Sequence, residues 1–185
     1  MGQNAGESAE EHNVEESTGE NDIKPPRSPY VDFSYIEENH EILKYTICAD
    51  PKYDWESTPL EEHLREDVED DKRMHEAGYV KDPVDVDYFL FDFNDDGLED
   101  YLVCMDGVLF SGSGGNMVEI YVQEDDGSLR CIFHIHDRLH FPDGSHARYT
   151  VLNEKTDGYY AIVLTSNRIV RYDKDEDRYV FHDGE

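Results

Sequence analysis

The densest chemistry in the chain lies at residues 92–100, Asp92-Phe93-Asn94-Asp95-Asp96-Gly97-Leu98-Glu99-Asp100, a D-x-N-x-D-G-x-x-D pattern. Calcium takes six to eight oxygen ligands in a flexible cage. Alternate residues carry the oxygens of Asp92, Asn94 and Asp96 around one point, and Gly97 permits the sharp turn that follows. The carbonyl of Leu98 can supply a further ligand, and Asp100 closes the site. The expected ligand set for one Ca2+ is therefore Asp92, Asn94, Asp96, Leu98 and Asp100. An EF-hand needs a bidentate Glu at the twelfth position, where this chain has Val103 in an apolar run, so that reading is excluded. A plain Asp-rich hairpin competes with the metal reading, because Asp, Asn and Gly are also ordinary turn residues.

Other reactive side chains are sparser. His134 and His136 alternate on an expected strand and share a face, with His140 and His146 nearby, a spacing able to bind zinc; half-exposed strand histidines are the commoner outcome of such a pattern. No G-x-S-x-G elbow, Cys–His signature or recognisable carboxylate pair offers an anchor for hydrolysis, and the glycines in 112–115 lack the Gly-Lys-Ser/Thr of a phosphate loop. The chain is expected not to be an enzyme. Cys48, Cys104 and Cys131 form no C-x-x-C pair. A Cys104–Cys131 bridge and a pair of buried thiols both remain open.

The elements that must position these residues follow from periodicity. From Asp87 onward, short apolar and β-branched runs (88–93, 101–105, 108–110, 117–122, 129–135, 148–152, 159–164, 169–172 and 179–181) are separated by Gly, Asp and Asn. That is the signature of antiparallel strands and hairpins. Ahead of them, Ser34 and Glu37 have capping-box spacing before Ile36, Ile42 and Leu43, which predicts a short helix. Thr58, Pro59 and Glu61 open a second helix whose stripe is Leu60, Leu64 and Val68, with Gly78 as its stop and Glu61–Arg65 and Glu69–Arg73 as i,i+4 pairs. The expected fold is α+β: mainly an antiparallel β-meander of about eight strands with one or two N-terminal helices packed on it. Residues 1–29 lack aromatics and are acidic, so they are expected to be a disordered tether; 30–185 form the domain, helical over about 34–78 and stranded over about 87–181. A faint internal echo pairs Asp96-Gly97 with Asp157-Gly158, each ahead of an apolar strand.

The loop followed directly by Tyr101-Leu102-Val103, and the 111–115 turn leading into Val118-Glu119-Ile120-Tyr121-Val122, resemble the calcium unit of FG-GAP and VCBS-type repeats, the building blocks of integrin-like β-propellers. The resemblance covers roughly residues 87–135. Asp95 stands where that family usually has Gly, the Phe-Gly…Gly-Ala-Pro element is absent, and a single copy closes no propeller. It implies propeller-blade-like strands, a structural Ca2+ and a secreted or lipid-anchored bacterial protein, because extracellular fluid supplies the calcium such a site needs.

Charge narrows the partners. Forty-five acidic against 16 basic residues give a formal charge of −29, which repels phosphate backbones, so no nucleic-acid partner is expected. No run is long and apolar enough to span a membrane, and the start lacks a basic region followed by a hydrophobic core, although a polar, acidic start is also what remains once a signal or lipid-attachment segment has been removed. A monomer binding an unknown protein or cell-surface ligand is the first expectation. The alternative is an intracellular acidic inhibitor or immunity-type protein that blocks a basic partner; it requires a contiguous acidic face.

Overall fold

The computed structural model describes residues 34–47, 55–137, 148–165 and 167–181. Two five-stranded antiparallel sheets pack face to face. One has the order β1-β7-β8-β9-β10, built from β1 (Ile42–Ile47), β7 (Arg148–Thr156), β8 (Tyr159–Val163), β9 (Ile169–Asp173) and β10 (Arg178–Phe181). The other runs β2-β3-β5, from β2 (Asp85–Phe91), β3 (Asp100–Asp106) and β5 (Gly115–Gln123), with the short β4 (Ser111–Gly112) and β6 (Leu129–Asp137) both paired to β5. The α+β fold dominated by antiparallel strands is thus as expected, but the strands divide between two sheets instead of forming one. Period-2 alternation dictates which face a residue takes and leaves open which sheet a strand joins.

The core lies between the sheets. Leu102, Cys104, Val118, Ile120 and Ile132 from one meet Tyr149, Val151, Ile162, Val170 and Tyr172 from the other, all buried. A helix covers each outer face. The stripe Leu60, Leu64 and Val68 of α2 (Leu60–Glu76) packs on Tyr101, Val103, Met105 and Tyr121. Ile36 of α1 (Ser34–Asn39) packs on Leu152, Ala161 and Val163. Alternation along β7 explains how one strand serves two layers: Val151 points to the inter-sheet core and its neighbour Leu152 to α1.

The signals for the second helix hold, and three other expectations are corrected. Thr58 Oγ1 accepts the Leu60 N–H at 3.2 Å, α2 runs Leu60–Glu76, and Gly78 takes φ 77° beyond its end. Arg73, however, reaches Asp70 with its guanidinium and the Glu69 carbonyl at 3.3 Å, not the Glu69 carboxylate. The first helix stops at Asn39; Ile42 and Leu43, expected within it, open β1, because Ile42 finds Leu152 across a strand pair that no local signal announces. The 108–110 run is a turn instead of a strand, with Val108 and Leu109 exposed. There Gly107 lies so close to Val84 that an added Cβ would stand 2.9 Å from the Val84 Cβ, and Phe110 N–H closes on the Gly107 carbonyl at 3.0 Å. Residues 1–29, the expected tether, lie outside the described residues.

Candidate functional site

The 92–99 loop joins β2 to β3, and Asp100 is the first residue of β3. Two residues fasten it. Phe93 is fully buried, and Asp100, equally buried, accepts Phe93 N–H on Oδ2 at 2.8 Å and Gln123 N–H on Oδ1 at 2.9 Å. The Asp100 side chain therefore clasps the loop's entry to the end of β5. On the far side, the Phe93 carbonyl accepts Tyr160 N–H at 2.9 Å from the opposite sheet. Asp95, at φ 58°, is held by the Lys155 ammonium and by Tyr160 OH at 3.0 Å. The Lys155 ammonium, bonded to this carboxylate, holds the Asp95 carboxyl below its usual range.

Between these anchors the loop folds its own oxygens inward. Asp92 Oδ1 accepts Asp96 N–H at 3.1 Å, and its Oδ2 accepts Gly97 N–H at 2.9 Å. Asn94 Oδ1 shares Asp96 N–H at 3.1 Å, and Asp96 Oδ1 accepts Leu98 N–H at 2.8 Å. These are nested Asx turns, and they require the left-handed backbone at Gly97, φ 89°. Asn94 Nδ2 donates to Asp96 Oδ2 at 2.7 Å. Asp92, Asn94 and Asp96 are thus brought together at a solvent-accessible point, Leu98 contributes its N–H to the same turn, and Asp100 sits beneath, inside the protein.

Electrostatics tie the buried residue to the exposed ones. Burial pushes the Asp100 carboxyl up to about 6; the Gln123 and Phe93 N–H groups pull it back, and the charges of Asp96 and Asp92 push it further up. The donor set is all hard oxygen, which suits calcium, and every carboxylate oxygen that accepts one N–H keeps a lone pair for a cation. A flip of the Asn94 amide exchanges its donor for an acceptor beside Asp96. As folded, the oxygens serve the loop's own N–H groups: among the described residues, no three of His, Cys, Asp and Glu are gathered so as to hold a metal ion.

Sequence reasoning missed the clasp role of Asp100 and the Lys155–Asp95 link, since both partners lie far along the chain. The echo at Asp157-Gly158 is the β7–β8 hairpin turn, with φ 51° and 96°, the paired positive values of a type I′ turn. Cys104 is in a disulfide and Cys131 is a free, exposed thiol, so the two are not bridged to each other; Cys48 lies outside the described residues. His134 and His136 do share the outward face of β6, while His140 and His146 lie outside the described residues. Compared with family models, with curated proteins and with solved structures, the chain finds no match.

Proposed function

We propose that this chain is a non-enzymatic calcium-binding module of the FG-GAP/VCBS-like kind, in which Ca2+ on Asp92, Asn94, Asp96, Leu98 and Asp100 stabilises a strand-loop-strand unit. The observation that carries the reading is the loop itself: Asp92, Asn94 and Asp96 converge in nested turns, with a third carboxylate, Asp100, directly below at the head of β3. Holding like charges this close costs stability unless a cation offsets it. The setting proposed is extracellular or cell-surface, secreted or lipid-anchored on a bacterium. A disulfide at Cys104 supports an oxidising compartment, where millimolar calcium is also at hand. The alternative of an acidic decoy draws less support from the long helix, because the exposed acids of α2 are interleaved with Arg65, Lys72 and Arg73, each ion-paired. Calorimetric titration of the chelator-stripped protein with CaCl2 tests the proposal. The expected result is one ion per chain with a dissociation constant of roughly 0.1–1 mM and a melting temperature that rises with calcium. No binding heat together with an unchanged melt would overturn it.

A further inference from the structure

The second cluster of ligand-type side chains lies on the outer face of β6, away from the calcium loop. His134 and His136, both exposed, stand two residues apart on the same face, their ring centroids 5.9 Å apart and their planes at 85°. Two imidazoles sharing one ion through bonds of about 2.0–2.1 Å have centroids roughly 5–6.5 Å apart, so the pair already stands at chelating separation. What distinguishes it from ordinary strand histidines is the layer behind it. Glu119, facing His134 across the β5–β6 pair, is buried, and its Oε1 lies 2.8 Å from His134 Nδ1. Its other oxygen, Oε2, accepts Tyr121 OH at 2.7 Å. A carboxylate is acceptor-only, so the neutral His134 ring carries its proton on Nδ1 and keeps the Nε2 lone pair on the outer side of the ring. This carboxylate–histidine arrangement is how proteins fix the tautomer and orientation of a metal-ligating imidazole. His136 has its own seat: Gly114, in the β4–β5 turn, lies against it so closely that an added Cβ would stand 3.3 Å from the His136 Cβ.

We propose that His134 and His136 form a transition-metal site, with Glu119 and Tyr121 as positioning residues and the remaining coordination positions open to water. Imidazole nitrogen selects zinc, nickel or copper over calcium, so this site and the calcium loop discriminate by ligand type and fill independently. Two protein ligands make it an open, exchangeable site, in contrast to the closed four-ligand shell of structural zinc.

The test is titration of the full chain with NiCl2 and, separately, ZnCl2, in saturating calcium so that oxygen sites are occupied. One ion per chain is expected with each metal. His134→Gln and His136→Gln, both at exposed positions that leave the core intact, should each weaken binding at least tenfold. Glu119→Gln should weaken it by roughly 10–100-fold through loss of the carboxylate charge that raises the basicity of the ligating imidazole. Nitrogen-15 spectra of the His134 ring provide a readout that a structural role would not move: the Nδ1–H tautomer should predominate in the parent before metal is added, and the Nε2 resonance should shift on zinc addition. Binding unchanged in the His134→Gln/His136→Gln double variant, or no binding by the folded parent at millimolar metal, would overturn the assignment.

Discussion

Asp96→Asn separates a metal loop from a turn that merely resembles one. In the calcium-free protein the substitution keeps the Oδ1 that accepts Leu98 N–H at 2.8 Å and loses the acceptor that meets Asn94 Nδ2 at 2.7 Å. It also removes one of the two charges that push Asp100 up. Both effects sit on an exposed residue, so they should nearly cancel, leaving a change within about 0.5 kcal/mol and a melting temperature within roughly 2 °C of the parent. Calcium changes the outcome. At a calcium concentration of 100 times the parent's dissociation constant, binding adds about 2.7 kcal/mol. If loss of the anionic ligand weakens binding tenfold, the same calcium adds about 1.4 kcal/mol; if hundredfold, about 0.4 kcal/mol. The variant should then trail the parent by about 1.3–2.3 kcal/mol, or roughly 3–9 °C for a domain of this size. Paired melts of both proteins in chelator and in calcium measure the difference directly. The same offset between variant and parent in the two buffers would refute the metal assignment.

Three further outcomes follow from other contacts. Asp100→Asn should destabilise by about 1–3 kcal/mol even in chelator, because a single amide oxygen cannot replace two carboxylate oxygens that each accept a buried N–H, from Phe93 and from Gln123; an unchanged melt in chelator would show that the clasp contributes nothing. Gly97→Ala, with open space around the added carbon and φ 89°, should cost about 1 kcal/mol from backbone conformation alone, measurable by urea denaturation of the calcium-free protein. Thiol titration in denaturant should find one reactive group per chain before reduction and three after; three thiols without reductant would contradict the Cys104 disulfide.

Local signals were enough where an element is specified by its own residues. Thr58, Pro59 and the Leu60, Leu64, Val68 stripe placed α2 within a residue or two, and the alternation of β5, with Val118, Ile120 and Val122 inward, read directly as a strand. The same signals misled where partners are distant. Ile42 and Leu43 continue an apolar period after α1, yet Ile42 pairs with Leu152, more than a hundred residues on. Val108 and Leu109 are apolar but exposed, since the approach of Gly107 to Val84 ends the strand before them and only Phe110 of that run is buried. The loop was legible as a turn rich in cation-seeking oxygens, because Asx chemistry and metal ligation use the same residues at the same spacing. Which use prevails depends on groups outside the loop, and those the spacing does not contain.

Those outside groups also determine how far an event at the loop can be felt. Asp100 ties it to β5 through Gln123, Phe93 ties it to β8 through Tyr160, and Asp95 ties it to β7 through Lys155. The loop is thus hydrogen-bonded to strands of both sheets, at one end of the sandwich whose core includes Phe93 itself. A cation that drew Asp92, Asn94 and Asp96 together would act on a segment that cannot open without releasing Phe93 from that core. Local fraying of the loop and separation of the two sheets are therefore coupled, and stabilisation gained at the loop should appear in the global unfolding transition instead of being confined to a mobile turn. The Lys155 link carries the smaller share of that coupling, being an exposed ion pair, and the buried Asp100 and Phe93 contacts carry the larger.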